Sequence, residues 1–347
     1  MSCVSLNNNQ GRNYGIDLLR ITAMLGIVTI HTLYHGKVVA QSPLGTANYY
    51  ISTFLQTAVW CAVEVFALIS GFVGFSHKGT YRWAGFLRLW LQVVFYSAGM
   101  SLLFYYLMPG SVSGTELVKS FAPLTTKVYW YFTAYFFVVL CAPILNTWVD
   151  SYPAKRLIVY SVLGGAVLYL SHLVPQIFGS VLLVYLYFVG ACLGKYQNQI
   201  KFPNRGYMAA IVMFIGFTWL WGMYWDSVKP SVAWLWLRND SPTILGVAIC
   251  LVMLFGQIKL SHTLLISLIT PGIFSVYLLN DHPLIRKYFI TEHFTWLQQM
   301  PWYVLLGYVI GFSIVFFAAA VSVDMGRRQI VCLTHLNKFI PYKRGRK

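Results

Sequence analysis

Ten apolar runs, each closed off by charge or by Pro and Gly, take up most of the chain, at about 16–35, 50–75, 84–108, 128–149, 157–174, 178–194, 207–225, 242–258, 264–280 and 302–323. A helix of about 20 apolar residues crosses the hydrocarbon of a bilayer, where every backbone N–H and C=O must find its partner within the segment. With 347 residues in all, ten such runs leave no stretch long or polar enough for a second, soluble domain. The predicted fold is all-α, a polytopic membrane helical bundle of about ten transmembrane helices. Charge excludes the water-soluble alternative: charged residues make up 10% of the chain, against roughly 25% in soluble domains.

The charge balance then sets the topology. The chain has 25 Lys and Arg against 9 Asp and Glu, a formal net charge of +16. In so apolar a chain this excess points to loops facing anionic membrane lipids and not to nucleic acid. Cytoplasmic loops collect Lys and Arg. With the N-terminus inside, 18 of these cations fall on the inner side and seven on the outer. Both termini are therefore expected in the cytoplasm, with the protein multi-pass in the inner (plasma) membrane. Residues 1–15 read as a cytoplasmic N-terminal segment, 16–323 as the transmembrane domain, and 324–347 as a basic tail lying on the inner leaflet. No small-residue cleavage site follows the first run, which reads as a retained helix. The six cysteines show neither CxxC pairing nor clustering, so neither a disulfide framework nor a zinc site is expected.

Charged and ionisable groups inside apolar runs cost free energy and are candidates for function. Here they are Asp17, Arg20, His31, His35 and Glu64. Asp17 and Arg20, at i and i+3, are placed to pair. Arg20 and His31 are eleven residues apart, about 16 Å along a helix axis and within about 20° of the same face. One polar stripe thus runs along the first helix. The bland alternative is an interfacial ion pair and two imidazoles that merely end the helix. His31 and His35 have the i, i+4 spacing of metal ligands, but no third ligand is near in sequence, and no metal is expected. Glu64 has no charged neighbour in sequence. It reads either as a proton-transfer group or as a protonated structural residue bonding a backbone carbonyl.

Over residues 15–31 the chain resembles the acyltransferase-3 family of integral membrane acyltransferases, whose first helix carries Arg, ten residues, then His; Arg20 and His31 reproduce that spacing. Phe66–Phe72 (FALISGF), Arg82–Leu89 (RWAGFLRL), Trp130-Tyr131-Phe132 and Tyr277–Pro283 (YLLNDHP) are similar to later family segments, and the likeness extends over the whole length. There is one departure. Many relatives have His where Asn280 stands, and the nearest imidazole here is His282. This variant is similar to that of members acting on capsular or exopolysaccharides.

The resemblance implies transfer of an acyl group, usually acetyl, from cytoplasmic acetyl-CoA to a hydroxyl of a cell-envelope polysaccharide or its lipid-linked precursor. It implies His31 as general base, or as carrier of a covalent acyl group. Arg20 would hold the donor or polarise its thioester carbonyl, with Asp17 orienting Arg20 and Glu64 setting the His31 tautomer. Lys78, Arg82 and Arg88 would meet the phosphates of the donor. Asn280, Asp281 and His282, with Trp130 and Tyr277, would face outside and bind sugar, although an interfacial aromatic belt explains most Trp and Tyr equally well. Polysaccharide-assembly proteins are the further expected partners. The competing reading is a membrane transporter or flippase of a polar or lipid-linked substrate, since an interrupted helix and buried charge also describe carriers. No internal repeat supports it.

Overall fold

The computed structural model describes residues 12–77, 83–170, 175–200, 202–261 and 263–333. Among these residues all regular structure is helical. The principal helices are α1 (Tyr14–Tyr34), α2 (Ala47–Val59), α3 (Ala62–Gly74), α4 (Trp83–Leu107), α5 (Trp130–Ser151), α6 (Ala154–Leu170), α7 (Pro175–Tyr196), α8 (Asn204–Val228), α9 (Pro242–Gln257), α10 (Leu264–Ile269), α11 (Ile273–Asn280) and α12 (Trp302–Leu333).

Each of the ten apolar runs coincides with helix, yet they differ in how they could cross a bilayer. Seven helical stretches are long and apolar enough to do so, and an eighth is a pair bent by 59°. Pro242–Gln257 is shorter, at 16 residues, and α6 has 17. The second run, expected as one helix, is broken between α2 and α3. Cys61 there has φ −69° and ψ 2°, a tightened turn that puts Glu64 into the first turn of α3. The ninth run changes to a single 3₁₀ turn at Thr270–Gly272, because Pro271 has no N–H to donate. It ends at Asp281, where His282, preceding Pro283, is held extended at φ −61° and ψ 128°. A residue before proline is disfavoured in the helical region.

The first helix is the axis of the bundle. It packs against α2, α3, α9, α11 and α12, which explains why residues all round it, such as Ile16, Leu19, Val28 and Leu33, are almost wholly buried. Its start is fixed twice by Asn13: the side-chain oxygen accepts from the N–H of Ile16 at 3.2 Å, and the amide nitrogen donates to the carbonyl of Gly256 at 2.9 Å. The last turn of α9 therefore sits beside the first turn of α1.

The tightest helix contact joins α3 and α7. A Cβ on Gly190 would fall 2.1 Å from the Leu68 carbonyl oxygen, and one on Gly71 2.0 Å from that of Tyr187. Gly190 and Gly194 have the small-xxx-small spacing that lets helix backbones approach when no hydrophobic effect drives association. That approach locks α3, and with it Glu64, in place.

The last helix outruns its apolar stretch, continuing for 32 residues to Leu333. Asp324, which ends the apolar run, is fully buried and paired with Arg327 at 2.7 Å and Arg328 at 3.0 Å. The charge that seemed to end the span is neutralised within its own helix, at i+3 and i+4. The expected boundary between 323 and 324 thus falls in mid-helix. Cys332 is disulfide-bonded, where no disulfide framework was expected. Cys61, Cys141, Cys192 and Cys250 are free thiols.

Candidate active site

At the N-terminal end of α1, Asp17 is buried and binds two guanidinium groups. Arg12 donates through Nε at 2.5 Å and Arg20 through Nη1 at 2.6 Å. The pairing of Asp17 with Arg20 follows from their spacing; the part of Arg12, just before the helix, does not. Charge-assisted hydrogen bonds of this kind are short and strong. Beside them opens a cavity of about 560 Å³, with Arg12, Asn13, Phe72, Asn198, Gly256 and Lys259 among its lining residues. Two cations and several amides make it suitable for a polar, anionic group.

Eleven residues along the same helix, His31 lies with Nδ1 buried and without a hydrogen-bond partner. Its ring meets that of His35 edge to face, with centroids 4.9 Å apart and planes at 72°. Asn280, at the end of α11, comes close enough to act on His31. No hydrogen bond of ordinary geometry joins them: both side-chain polar atoms of Asn280, which is wholly buried, are also unpaired. One turn earlier, the buried hydroxyl of Tyr277 is unpaired as well. Buried polar groups left unpaired each cost about 1–3 kcal/mol. His31 and Asn280, unpaired and close to one another, mark a place where water or a ligand completes the bonding.

Glu64 is not part of that group. The groups acting on His31 are His35, Arg286 and Asn280, whereas Glu64 acts on Cys61 and Tyr131 and feels the charge of Asp240. It is completely buried with both carboxyl oxygens unpaired. No hydrogen bond joins Glu64 to His31, and the charge of Glu64 bears on Tyr131, whose ring lies 5.9 Å from that of Tyr277. The break between α2 and α3 puts Glu64 in the first turn of α3. No feature of the sequence marks that break, since neither Pro nor Gly stands at 60 or 61.

The residues expected to meet sugar are distributed unevenly. Asn280, Asp281 and His282 are all buried. Asp281 accepts from Arg286 Nη1 at 3.0 Å. The Nδ1 of His282 accepts from the N–H of Leu284 at 3.2 Å, and its Nε2 faces the Ser97 carbonyl oxygen at 3.4 Å. With both ring nitrogens engaged inside the protein, His282 holds the bend between α11 and the segment that follows. Tyr277 is interior, whereas Trp130 is exposed at the start of α5 and meets Tyr131 edge to face. Of the cations expected near the donor, Lys78 and Arg82 lie outside the described residues. Arg88 is half-buried on α4, one turn before Gln92. Among the described residues no group of three His, Cys, Asp or Glu side chains is placed to hold a metal ion.

Long apolar helices around a central one, which carries a buried ion pair near one end and an unsatisfied imidazole towards the other, define a polytopic membrane protein with a polar interior site. Residues 13–320 match the model of the acyltransferase-3 family, described as an acyltransferase domain, and the chain belongs to that family. It is accordingly a membrane acyltransferase. No curated protein and no solved structure matches the chain.

Proposed function

We propose that the protein moves an acetyl group from cytoplasmic acetyl-CoA to a hydroxyl of a cell-envelope polysaccharide or its lipid-linked precursor, with His31 as general base. The observation that carries this reading is the pair of buried, unpaired polar groups that meet where α11 crosses α1: the Nδ1 of His31 and the amide of Asn280. Acyl transfer to an alcohol needs a base for the hydroxyl proton and donors for the developing oxyanion. His31 takes the proton as the acceptor oxygen bonds to the thioester carbon. The Asn280 Nδ2 offers a donor to the carbonyl oxygen. Collapse breaks the carbon–sulfur bond, and the proton passes from His31 to the leaving thiolate.

The two other members of the first-helix set serve the donor. Arg20 stands about 16 Å along the axis from His31, too far to polarise a carbonyl attacked at His31. It holds the donor at a distance from the reacting carbon, and its bond to Asp17 fixes its direction. The cavity beside Arg12 and Lys259 suits the phosphates of the donor. In this reading both termini lie in the cytoplasm and the protein sits in the inner membrane, with the donor entering from the cytoplasmic side.

The test is the acetyl content of surface glycan, measured by NMR, from cells carrying wild-type or His31→Ala protein at matched membrane levels. Loss of the acetyl signal with His31→Ala is expected. Equal acetylation with both proteins would remove His31 from the chemistry.

A further inference from the structure

The cavity at the start of α1 has two unlike sides. Its mouth is polar, with Arg12, Asn198 and the exposed Lys259. Its inner wall is apolar and buried, and is made by Phe72 of α3 and Met253 of α9. A molecule that fills it is matched when it is anionic at one end only. Behind this wall α1, α3 and α9 pack against one another in every pairing, and α1 continues to His31.

The three helices meet at one point of the wall. A Cβ on Gly256 would lie 3.0 Å from Cζ of Phe72 and 3.9 Å from Cδ1 of Ile16, so the Phe72 ring takes the room that a side chain at 256 would need. The backbones around the ring are held. Asn13 accepts from the N–H of Ile16 and donates to the carbonyl of Gly256, which ties α1 to α9. On the other flank, a Cβ on Gly194 would fall 2.4 Å from the carbonyl oxygen of Phe72, so α3 cannot shift there without moving α7. The part of this wall that can turn aside is the aromatic side chain, by a change of rotamer.

Fixed backbone with one movable ring between makes a narrow entrance. Ile16 and His31 are fifteen residues apart, about 22 Å along the helix axis. A donor whose phosphates stay at Arg12 and Lys259 must send its thioester inward over that distance to meet the base. The acyl group is at the far end of the donor from the nucleotide, so it is the first part to reach Phe72. A constriction at this point acts on the acyl group itself.

We propose that Phe72 is the gate through which the acyl end of the donor enters, and that its ring restricts the protein to short acyl groups. This rests on the acyltransferase reading above and adds the choice of donor. Phe72 touches no reacting atom and acts as a specificity determinant.

The experiment uses the full-length protein in phospholipid vesicles, with surface glycan purified from the same cells as acceptor. Release of the CoA thiol is followed with acetyl-, butyryl- and hexanoyl-CoA for wild type, Phe72→Ala, Phe72→Leu and Phe72→Trp. In wild type kcat/KM should fall by about tenfold or more from acetyl- to hexanoyl-CoA, the scale of discrimination that added methylenes allow in an apolar site. Phe72→Ala should remove most of that difference and Phe72→Leu part of it, whereas Phe72→Trp should lower kcat/KM for acetyl-CoA itself. Adenosine 3′,5′-bisphosphate, which resembles the head of the donor and has no arm, is titrated by the shift it causes in the thermal midpoint. Its affinity should be alike in all of these proteins, because the phosphates do not pass the ring. The midpoint without ligand identifies a variant that does not fold; if that is Phe72→Ala, the milder Phe72→Leu carries the comparison. Equal use of the three donors by wild type, or the wild-type preference retained in both smaller variants, overturns the proposal. So does a fall in bisphosphate affinity that parallels the change in donor use, or a wild type that does not bind the bisphosphate. Absence of thiol release from wild type with any donor would overturn the acyltransferase reading, whereas release that is indifferent to Phe72 would overturn the gate alone.

Discussion

Asn280 faces His31 across the contact between α11 and α1, and neither its amide nor the Nδ1 of the imidazole has a hydrogen-bond partner. A side chain this deeply buried is expected to be bonded. Its freedom makes sense if the amide waits for an oxygen that develops charge during the reaction. Asn280→Ala should therefore lower kcat by about 10²- to 10³-fold, the usual effect of losing an oxyanion donor. Stability should change little, because the substitution removes a buried polar group that has no partner to leave behind. Steady-state kinetics and the thermal midpoint on the same preparations check both halves. A large fall in the midpoint would assign Asn280 to the fold instead.

Arg20 should behave differently from His31, although both lie on one stripe. At about 16 Å from the imidazole it meets the donor away from the thioester, so its removal weakens donor binding more than chemistry. Arg20→Ala should raise the KM for acetyl-CoA at least tenfold, and Arg20→Lys should restore part of it. His31→Ala should abolish turnover without a matching loss of donor binding. Titration of acetyl-CoA against each variant separates these outcomes. A fall in kcat alone for Arg20→Ala would place the guanidinium at the reacting carbon.

How far the sequence discloses this protein varies with the kind of feature. Helical runs are legible because the bilayer imposes a length and forbids unpaired backbone, and so all ten stretches coincide with helix. The Asp17–Arg20 pair is legible because i and i+3 are neighbours on any helix. What is not legible depends on tertiary packing. The place of Glu64 in the first turn of α3 follows a break at Trp60–Cys61 that has no Pro or Gly to announce it. The buried state of Asp281 and His282 depends on Ser97 and Arg286, brought in from elsewhere in the chain. The Asp324 cluster is written in the sequence as Asp, two residues, then Arg-Arg, a helical ion-pair spacing, although the apolar run itself ends at that first charge.

That ion-pair cluster yields a stability prediction. Asp324 is fully buried and also accepts from the Tyr96 hydroxyl at 3.0 Å, which ties α12 to α4. Asp324→Ala would leave two partly buried guanidinium groups without their counter-charge, a change that costs about 3–5 kcal/mol in buried pairs. A clear fall in the thermal midpoint is expected, with little change in the KM for either substrate of the protein that remains folded. An unchanged midpoint would show that water satisfies the arginines.

The contact between α3 and α7 should be the least tolerant of added volume. At Gly190 a Cβ would lie 2.1 Å from the Leu68 carbonyl oxygen, and at Gly194 2.4 Å from that of Phe72. These neighbours are backbone and cannot swing aside, so the helices must separate. Gly190→Leu should therefore cost more than the 1–3 kcal/mol typical of an overfilled core, and Gly190→Ala should already be measurable. Gly216, where nothing lies within 4 Å of an added Cβ, is the control: Gly216→Ala should leave the thermal midpoint unchanged or slightly raised. Equal effects at the two positions would mean that α3 and α7 are not in close contact.

Glu64 provides the sharpest separation between position and chemistry. If it set the tautomer of His31, removing its charge would alter the protonation of the base and displace the acid limb of the pH–rate profile. The groups acting on His31 are instead His35, Arg286 and Asn280, and the charge of Glu64 bears on Cys61 and Tyr131. Glu64→Gln keeps the shape and removes the charge. It should leave the acid limb where it is in wild type, whatever its effect on the maximal rate. The profile of kcat/KM for Glu64→Gln, recorded beside wild type with the same acceptor, decides between the arrangements. A shifted limb with Glu64→Gln would return the carboxylate to the side of the imidazole.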